Sequence, residues 1–290
     1  MEKMTLTQFM NRFPNDNACL EHLKQVRYGE THKCAKCGRQ AKYYRAKQRR
    51  SYACEHCGHQ VYPQAGTPFE NTRTPLTDWF MVMFMFTVSR NGVSAKEVQR
   101  TIGVTYKTAW RMCNLIRQYM GYVDGDAPLG GPGRGVVEAD KAFIGGKDER
   151  GKDDKAIVLG MVERGGDLVT RVIPHRGSNA VMPAIYQTVR PYTRLATDEA
   201  RAFLEARETY RHGTVNHAKK EWVAGQGNEV HTNTIEGIWG SFKRGVEGTY
   251  IFVSKKWLQT YLWEFEFRYN HRKRPHQMFD ALVSSFPMAA

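Results

Sequence analysis

The stretch that decides the fold is His231-Thr232-Asn233-Thr234-Ile235-Glu236-Gly237-Ile238-Trp239-Gly240-Ser241-Phe242-Lys243-Arg244. It reads as a helix. Ile235, Trp239 and Phe242 recur at helical spacing and form an apolar stripe that would dock on a core. Glu236 and Lys243 lie about two turns apart and share a face. Asn233 sits one turn before Glu236, on nearly the same face. One rigid element thus presents a carboxylate, an amide and an ammonium together. Such an element can offer a ligand to a hard cation and a positive charge to a phosphate, but it cannot hold a catalytic metal alone.

Partner carboxylates stand upstream. Val136-Val137-Glu138-Ala139-Asp140 is a short β-prone run ending in an acid, and Thr193-Arg194-Leu195-Ala196-Thr197-Asp198 is another. Acids at strand ends facing an acid on a helix can hold two Mg²⁺ ions, which take oxygen ligands and clamp the attacking and leaving oxygens of a phosphoryl displacement. Taken singly, Asp140 is equally a strand-end acid paired with a base, and Asp198 a cap for a helix beginning at Ala200. Glu138 and Glu199 are second choices, expected to point to the other strand face or to leave the strand. His217 and His231 could position a water or a DNA end, although a lone histidine is more often simply hydrogen-bonded.

VEADKAFIGGK (137–147), ATDEA (196–200), HTNTIEGIWGSFKRG (231–245) and YLWEFEFRYNHR (261–272) together resemble zinc-ribbon DDE transposases of prokaryotic insertion sequences, relatives of the Merlin-type elements. The resemblance runs from the cysteines at 34–57 to Arg272. It implies a ribonuclease-H-like α/β catalytic domain that cuts DNA and joins 3′-OH ends by two-metal chemistry, with Mg²⁺ bound by Asp140, Asp198 and Glu236 and Mn²⁺ able to substitute. Family members use Glu or Asn as the third ligand; Glu236 is preferred here and Asn233 is the alternative. Lys243 would hold a phosphate. Lys141 is a departure, since many members carry an acid directly after the first aspartate. A metal nuclease without strand transfer and a catalytically dead DNA-binding regulator are the rival readings.

Composition agrees with a nucleic-acid partner. Lys and Arg total 43 against 29 Asp and Glu in 290 residues, a formal +14, which favours a polyanion. The alternative is a basic protein with no specific partner. No N-terminal stretch has a signal-peptide pattern, and the apolar run at 79–88 is too short to span a bilayer. Four of the six cysteines form Cys34-Ala-Lys-Cys37 and Cys54-Glu-His-Cys57, a strong zinc-ribbon signal that also points to a reducing compartment. A cytoplasmic, nucleoid-associated protein with no membrane partner is therefore expected, and the resemblance implies a homodimer or higher oligomer on DNA.

Gly38 and Gly58 follow the cysteine pairs, where a knuckle turn needs an unusual backbone. Between the pairs, Lys42, Arg45, Lys47, Arg49 and Arg50 alternate with tyrosines and could contact DNA, or could be a solvated hairpin. Leu6, Phe9, Met10 and Phe13 recur at helical spacing ahead of the ribbon and read as packing residues. Past a linker near 63–77 and an apolar helix around Trp79, Ser94 and Thr105 each start a helix across a turn at Ile102-Gly103-Val104. That is a helix-turn-helix pattern, with Tyr106, Lys107, Thr108 and Arg111 placed to reach a major groove, or an ordinary helical hairpin.

The expected domains are a helical lead-in and ribbon (1–66), a helix-turn-helix region (67–124), a Gly/Pro linker (125–135) and the catalytic domain (136–290). Within the last, 156–162 and 168–173 read as a hairpin, Ser178 or Asn179 as the cap of a following helix, and 257–268 as a helix packed on the sheet. The charged loop 147–155 and the basic residues from Arg268 to Arg274 could touch DNA or be solvated.

Overall fold

The computed structural model describes residues 4–47, 49–125, 127–146, 155–198, 200–216, 222–225 and 229–286. The chain forms two compact units, Met1–Tyr119 with Arg274–Ala290, and Met120–Lys273. The residues from Arg274 on, expected with the catalytic domain, belong instead to the first unit.

In that unit, α1 (Leu6–Arg12) and α2 (Asp16–Tyr28) precede the ribbon strands β1 (His32–Lys33), β2 (Gln40–Ala41), β3 (Tyr43–Arg45), β4 (Tyr52–Cys54) and β5 (Gln60–Val61). Then come α3 (Leu76–Val88), α4 (Ala95–Ile102) and α5 (Tyr106–Asp124), whose last residues, from Met120, belong to the second unit. Phe9 stacks on Phe84 with ring centroids 5.0 Å apart, and both meet Phe279 of the helix Met278–Ser284. Leu6 and Met10 are exposed, contrary to the expected stripe: a helix of seven residues turns one edge to the core, and Phe9 occupies it.

The second unit is built on a five-stranded sheet of β6 (Val137–Ile144), β7 (Ala156–Glu163), β8 (Leu168–Ile173), β9 (Arg194–Asp198) and β10 (Arg211–Val215), in the order β10-β9-β6-β7-β8. The pairs β6–β7 and β7–β8 are antiparallel, whereas β6–β9 and β9–β10 are parallel. Strand alternation sends Val137, Ala139, Leu159 and Met161 to one face, against α6 (Ser178–Thr188) and Phe203. It sends Ala142, Ile144, Val158 and Val162 to the other, against α7 (Asn233–Gly245) and α8 (Leu258–Asn270).

The Gly/Pro segment expected as a linker is stitched into this unit. Leu129 bridges to Val189, the Gly130 N–H donates to Glu163 at 3.1 Å, and the Gly131 N–H donates to the Thr193 hydroxyl at 2.8 Å. Gly130 has φ +69°, and a Cβ there would lie 2.4 Å from Thr193 Cγ2, so the close approach requires glycine.

Helix α8 does more than pack. Strand β8 ends the sheet, and its outward backbone groups would be open to another strand. Side chains of α8 occupy them. Asn270 Oδ1 accepts from the Leu168 N–H at 2.8 Å while its Nδ2 donates to the Leu168 carbonyl at 3.0 Å. Glu266 accepts from the Thr170 N–H and hydroxyl at 2.8 and 2.6 Å. Gln259 donates to the Thr170 carbonyl and accepts from the Val172 N–H.

The residues expected to continue as a basic tail are consumed similarly. Arg268 pairs with Glu264, Arg272 donates to the Gly166 carbonyl, and Lys273 donates to Gly165.

Burial pushes the Glu266 carboxyl up from 4.5 to about 8, against the Thr170 hydrogen bonds that pull it down. The folded state therefore favours the protonated form. The stability this gives is complete below about 4.5 and is lost as pH rises through about 8. Glu266→Gln keeps an acceptor for Thr170 and cannot ionise. Thermal denaturation at pH 5 and pH 8 should show native protein losing more stability than the variant, by a difference on the order of a few kcal/mol. Equal losses would show that Glu266 does not titrate in this way.

Candidate active site

Helix α7 is seated by a missing side chain. Gly160 of β7 lies opposite Asp140 of β6. A Cβ at Gly160 would come within 2.5 Å of Trp239 Cζ2 and 2.9 Å of Ile235 Cδ1. Glycine lets the indole rest on the strand, and the stripe of Ile235, Ile238, Trp239 and Phe242 is buried behind it.

The start of α7 is held by Glu138. Its residue is wholly buried, and one carboxylate oxygen accepts from the Ile235 N–H at 3.0 Å. The other accepts from the Thr234 hydroxyl at 2.9 Å and from Arg164 Nε at 2.6 Å, with His231 Nδ1 3.2 Å away. Arg164 also donates to the Glu229 and His231 carbonyls, on the chain leading into the helix. The first N–H groups of a helix lack intrahelical partners and attract negative charge. No side chain caps α7 from its own N-cap, Thr232, and Glu138 does it from the neighbouring strand. The expectation that Glu138 faces away is thus corrected: residues two apart on a strand share a face, so Glu138 points as Asp140 does.

The register Ala139↔Thr197 places Asp140 beside Asp198 on adjacent parallel strands. Asp198 Oδ1 accepts from the Ala200 N–H at 3.1 Å and stands 3.9 Å from Lys141 Nζ. Glu236 lies in the first turn of α7 and accepts from the Thr232 hydroxyl at 2.7 Å. Burial pushes Asp140 up to about 6; the Lys141 backbone N–H and ammonium pull it down, while Asp198 and Glu236 push it further up. Asp140 therefore feels both other acids, less than it feels its own burial.

The carboxylates stand wider apart than the thiols. Among the described residues, the four cysteines are the one group of three or more candidate ligands whose atoms all fall within 4.8 Å. Asn233 is exposed at the first position of α7, and Lys243, also exposed, lines a groove of about 460 Å³ with Phe143, Ile144 and Val253. Glu199, His217 and positions 147–154 of the charged loop lie outside the described residues.

In the ribbon, the Cys34 and Cys57 sulfurs are 3.6 Å apart and those of Cys37 and Cys54 are 4.0 Å apart. A tetrahedron of thiolates around Zn²⁺ has edges of about 3.8 Å. Gly38 and Gly58 take φ +70° and +68°, and each N–H closes its knuckle onto the first cysteine carbonyl, as the sequence predicts. The backbone N–H of Cys37 helps hold the Cys34 thiol down to about 5, while Cys57, despite the His59 backbone N–H, is pushed up to about 11 by burial and the neighbouring sulfurs. The donor set fits a structural zinc.

Lys42, Lys47 and Arg49 are exposed on the ribbon hairpin. Arg45 donates to carbonyls of its own loop and Arg50 pairs with Asp16 at 3.0 Å, so both are partly spent on structure. Helix α4 is capped by Ser94 and ends at Gly103 in the left-handed region, and the Thr105 hydroxyl accepts from the Thr108 N–H at the start of α5. Ala109, Met112, Cys113 and Ile116 are buried as their spacing predicts. Tyr106, Lys107 and Arg111 are exposed and Thr108 is half-buried.

Two parts of the chain match known protein families. Residues 131–270 match the ISXO2-like transposase domain and residues 14–60 match the transposase zinc-ribbon domain. A protein described as an uncharacterized protein in transposable element ISH50, from Halobacterium salinarum, is 28% identical over 290 residues, covering 91% of this chain and 94% of its own length.

Two outcomes follow for the sites. Glu138→Ala strands Arg164 and the helix start and should cost about 3–5 kcal/mol in denaturant unfolding. Adding Arg164→Ala to it should cost much less than the two single losses summed; simple additivity would mean the pair does not act as a unit. Elemental analysis of the native chain should find zinc, and Cys37→Ser should lose it; a zinc content unchanged by that substitution would remove the metal from the ribbon.

Proposed function

We propose, from the premise that this chain belongs to the zinc-ribbon ISXO2-like transposases, that it binds the ends of an insertion element, cuts the DNA there and joins the freed 3′-OH ends to a target. One observation carries the reading. Carboxylates converge from β6, β9 and α7: the register sets Asp140 beside Asp198, and Asp140, pushed up to about 6 mainly by burial, is raised further by Asp198 and Glu236. A bound cation would offset both effects. The order β10-β9-β6-β7-β8, with its first three strands in sequence antiparallel and the last two parallel, supports a ribonuclease-H-like fold.

The hard oxygens of Asp140, Asp198 and Glu236 fit Mg²⁺, with Mn²⁺ as a substitute. When bound, the ions supply Lewis-acid activation of the attacking oxygen and stabilisation of the leaving 3′ oxygen. The protein's own groups set the geometry. Glu138 and Arg164 fix the start of α7 and hence Glu236, and Asn233 is the alternative ligand at that helix start. Lys243 holds a backbone phosphate as a point charge. The zinc ribbon, through Lys42, Arg45, Lys47, Arg49 and Arg50, and α4–α5 as a helix-turn-helix, through Tyr106, Lys107, Thr108 and Arg111, hold the element end. Two or more copies act together on the paired ends.

A supercoiled plasmid carrying the element's own ends tests this. Native protein with Mg²⁺ should give joined products; nicks alone would make it a nuclease. Asp140→Asn and Asp198→Asn should each abolish cutting while DNA binding persists. Between Glu236→Gln and Asn233→Ala, the larger loss, by orders of magnitude, identifies the third ligand, and Glu236 is expected. Lys243→Ala should slow cutting less than loss of a ligand does. Near-full cutting by Asp140→Asn would falsify the assignment.

A further inference from the structure

A second cavity, of about 530 Å³, opens beside the acids and is lined by Lys141, Arg176, Gly177, Ser178, Ala202 and Arg201, among others. We propose that it is a phosphate subsite, which takes a backbone phosphate of the nucleic-acid strand next to the one being cut. The proposal rests on the functional reading above.

Lys141 carries it. Its side chain is 9% exposed. Its ammonium lies 4.1 Å from the centroid of the Phe203 ring, and among the described residues the buried nitrogen has no hydrogen-bond partner. The carboxylate oxygen of Asp198 stands 3.9 Å away, beyond hydrogen-bond reach. An ammonium has three donors, and leaving them unmade inside a protein is costly. The cavity wall is where an acceptor with several oxygens would satisfy them.

The same wall carries the start of α6, a helix of 11 residues. Its cap was expected from Ser178 or Asn179. The N-cap is instead Gly177, with no side-chain cap; the Ala180 and Val181 N–H groups donate to the Gly177 carbonyl, which leaves those of Ser178 and Asn179 for a ligand. Ser178 turns its hydroxyl away, donating to Glu205 at 2.5 Å. An open helix N-terminus binds phosphate through its N–H groups and dipole. Arg176 and Arg201 add two cations to the lining. Three cations and a helix start fit a phosphodiester, and the closeness to Asp198 places that phosphate along the strand that reaches the acids.

Fluorescence anisotropy of the full chain with a labelled duplex of arbitrary sequence tests this, over a salt series with Ca²⁺ present. Lys141→Met keeps an apolar stem over Phe203 and removes the charge. The slope of log affinity against log salt should become shallower by about 0.9, the effect of one phosphate contact. Lys141→Arg should restore it. Inorganic phosphate should raise the melting temperature of native protein and have less effect on Lys141→Met. An unchanged slope in Lys141→Met overturns the subsite and leaves the functional reading standing, even if inorganic phosphate still binds. If native protein binds no duplex, both fall. Should Lys141→Met fail to fold, the double variant Arg176→Gln/Arg201→Gln decides by the same slope, an unchanged value again overturning the subsite.

Discussion

A buried carboxylate that must be neutralised organises the second unit. Glu138 lies in the central strand with no exposed surface, and a charge so placed survives only with partners of good geometry. Those partners come from two places, the hairpin turn through Arg164 and the start of α7 through Thr234 and Ile235, and Arg164 also ties down the chain before the helix through the Glu229 and His231 carbonyls. Satisfying one charge therefore fixes where a helix from almost a hundred residues later begins. Because Asp140 follows two positions on along the same strand face, the fixed helix brings Glu236 to it.

Attraction and repulsion are arranged in series along β6. At Glu138 the protein supplies all the positive charge and donors that the carboxylate needs. At Asp140 it supplies too few, and burial with Asp198 and Glu236 nearby pushes the group up to about 6. The rigid pairing at one position fixes the start of α7, and with it Glu236, next to a strand whose following acid is poorly compensated. Gly160 contributes from the other side, since any larger residue would lift Trp239 and the helix away from the sheet.

Much of this was legible in the sequence because it is local. The paired cysteines, the helical stripe of Ile235, Trp239 and Phe242, the β-prone run ending at Asp198, and the Ser94 and Thr105 caps all follow from spacing within one or two turns, whereas the run expected to end at Asp140 continues to Ile144, because its further residues pair with β7 and leave that acid in mid-strand. What escaped depends on distant partners. Nothing near Arg164 announces that it will pair with Glu138. Asn270, Glu266 and Gln259 read as polar residues on a helix, yet their partners are backbone groups of an edge strand about a hundred positions earlier, which carry no sequence signal. Arg268, Arg272 and Lys273 read as a basic tail for the same reason. Glu138 was within reach: counting by two along the strand places it beside Asp140.

The first unit is discontinuous, and that has a consequence in time. Its aromatic core is closed by Phe279, Leu282, Val283 and Phe286, all buried, with Phe279 against Phe9, Phe13 and Phe84. On the ribosome these residues emerge only after the whole of Met120–Lys273. Domains usually fold as they are made, the N-terminal one first. Here the zinc knuckles can close early, because their four ligands lie close together in the chain, while the hydrophobic interior around Phe9 must wait with its rings uncovered. The part of the chain translated first is thus the last to be finished, and a nascent chain exposes this aromatic surface to chaperones throughout synthesis of the second unit.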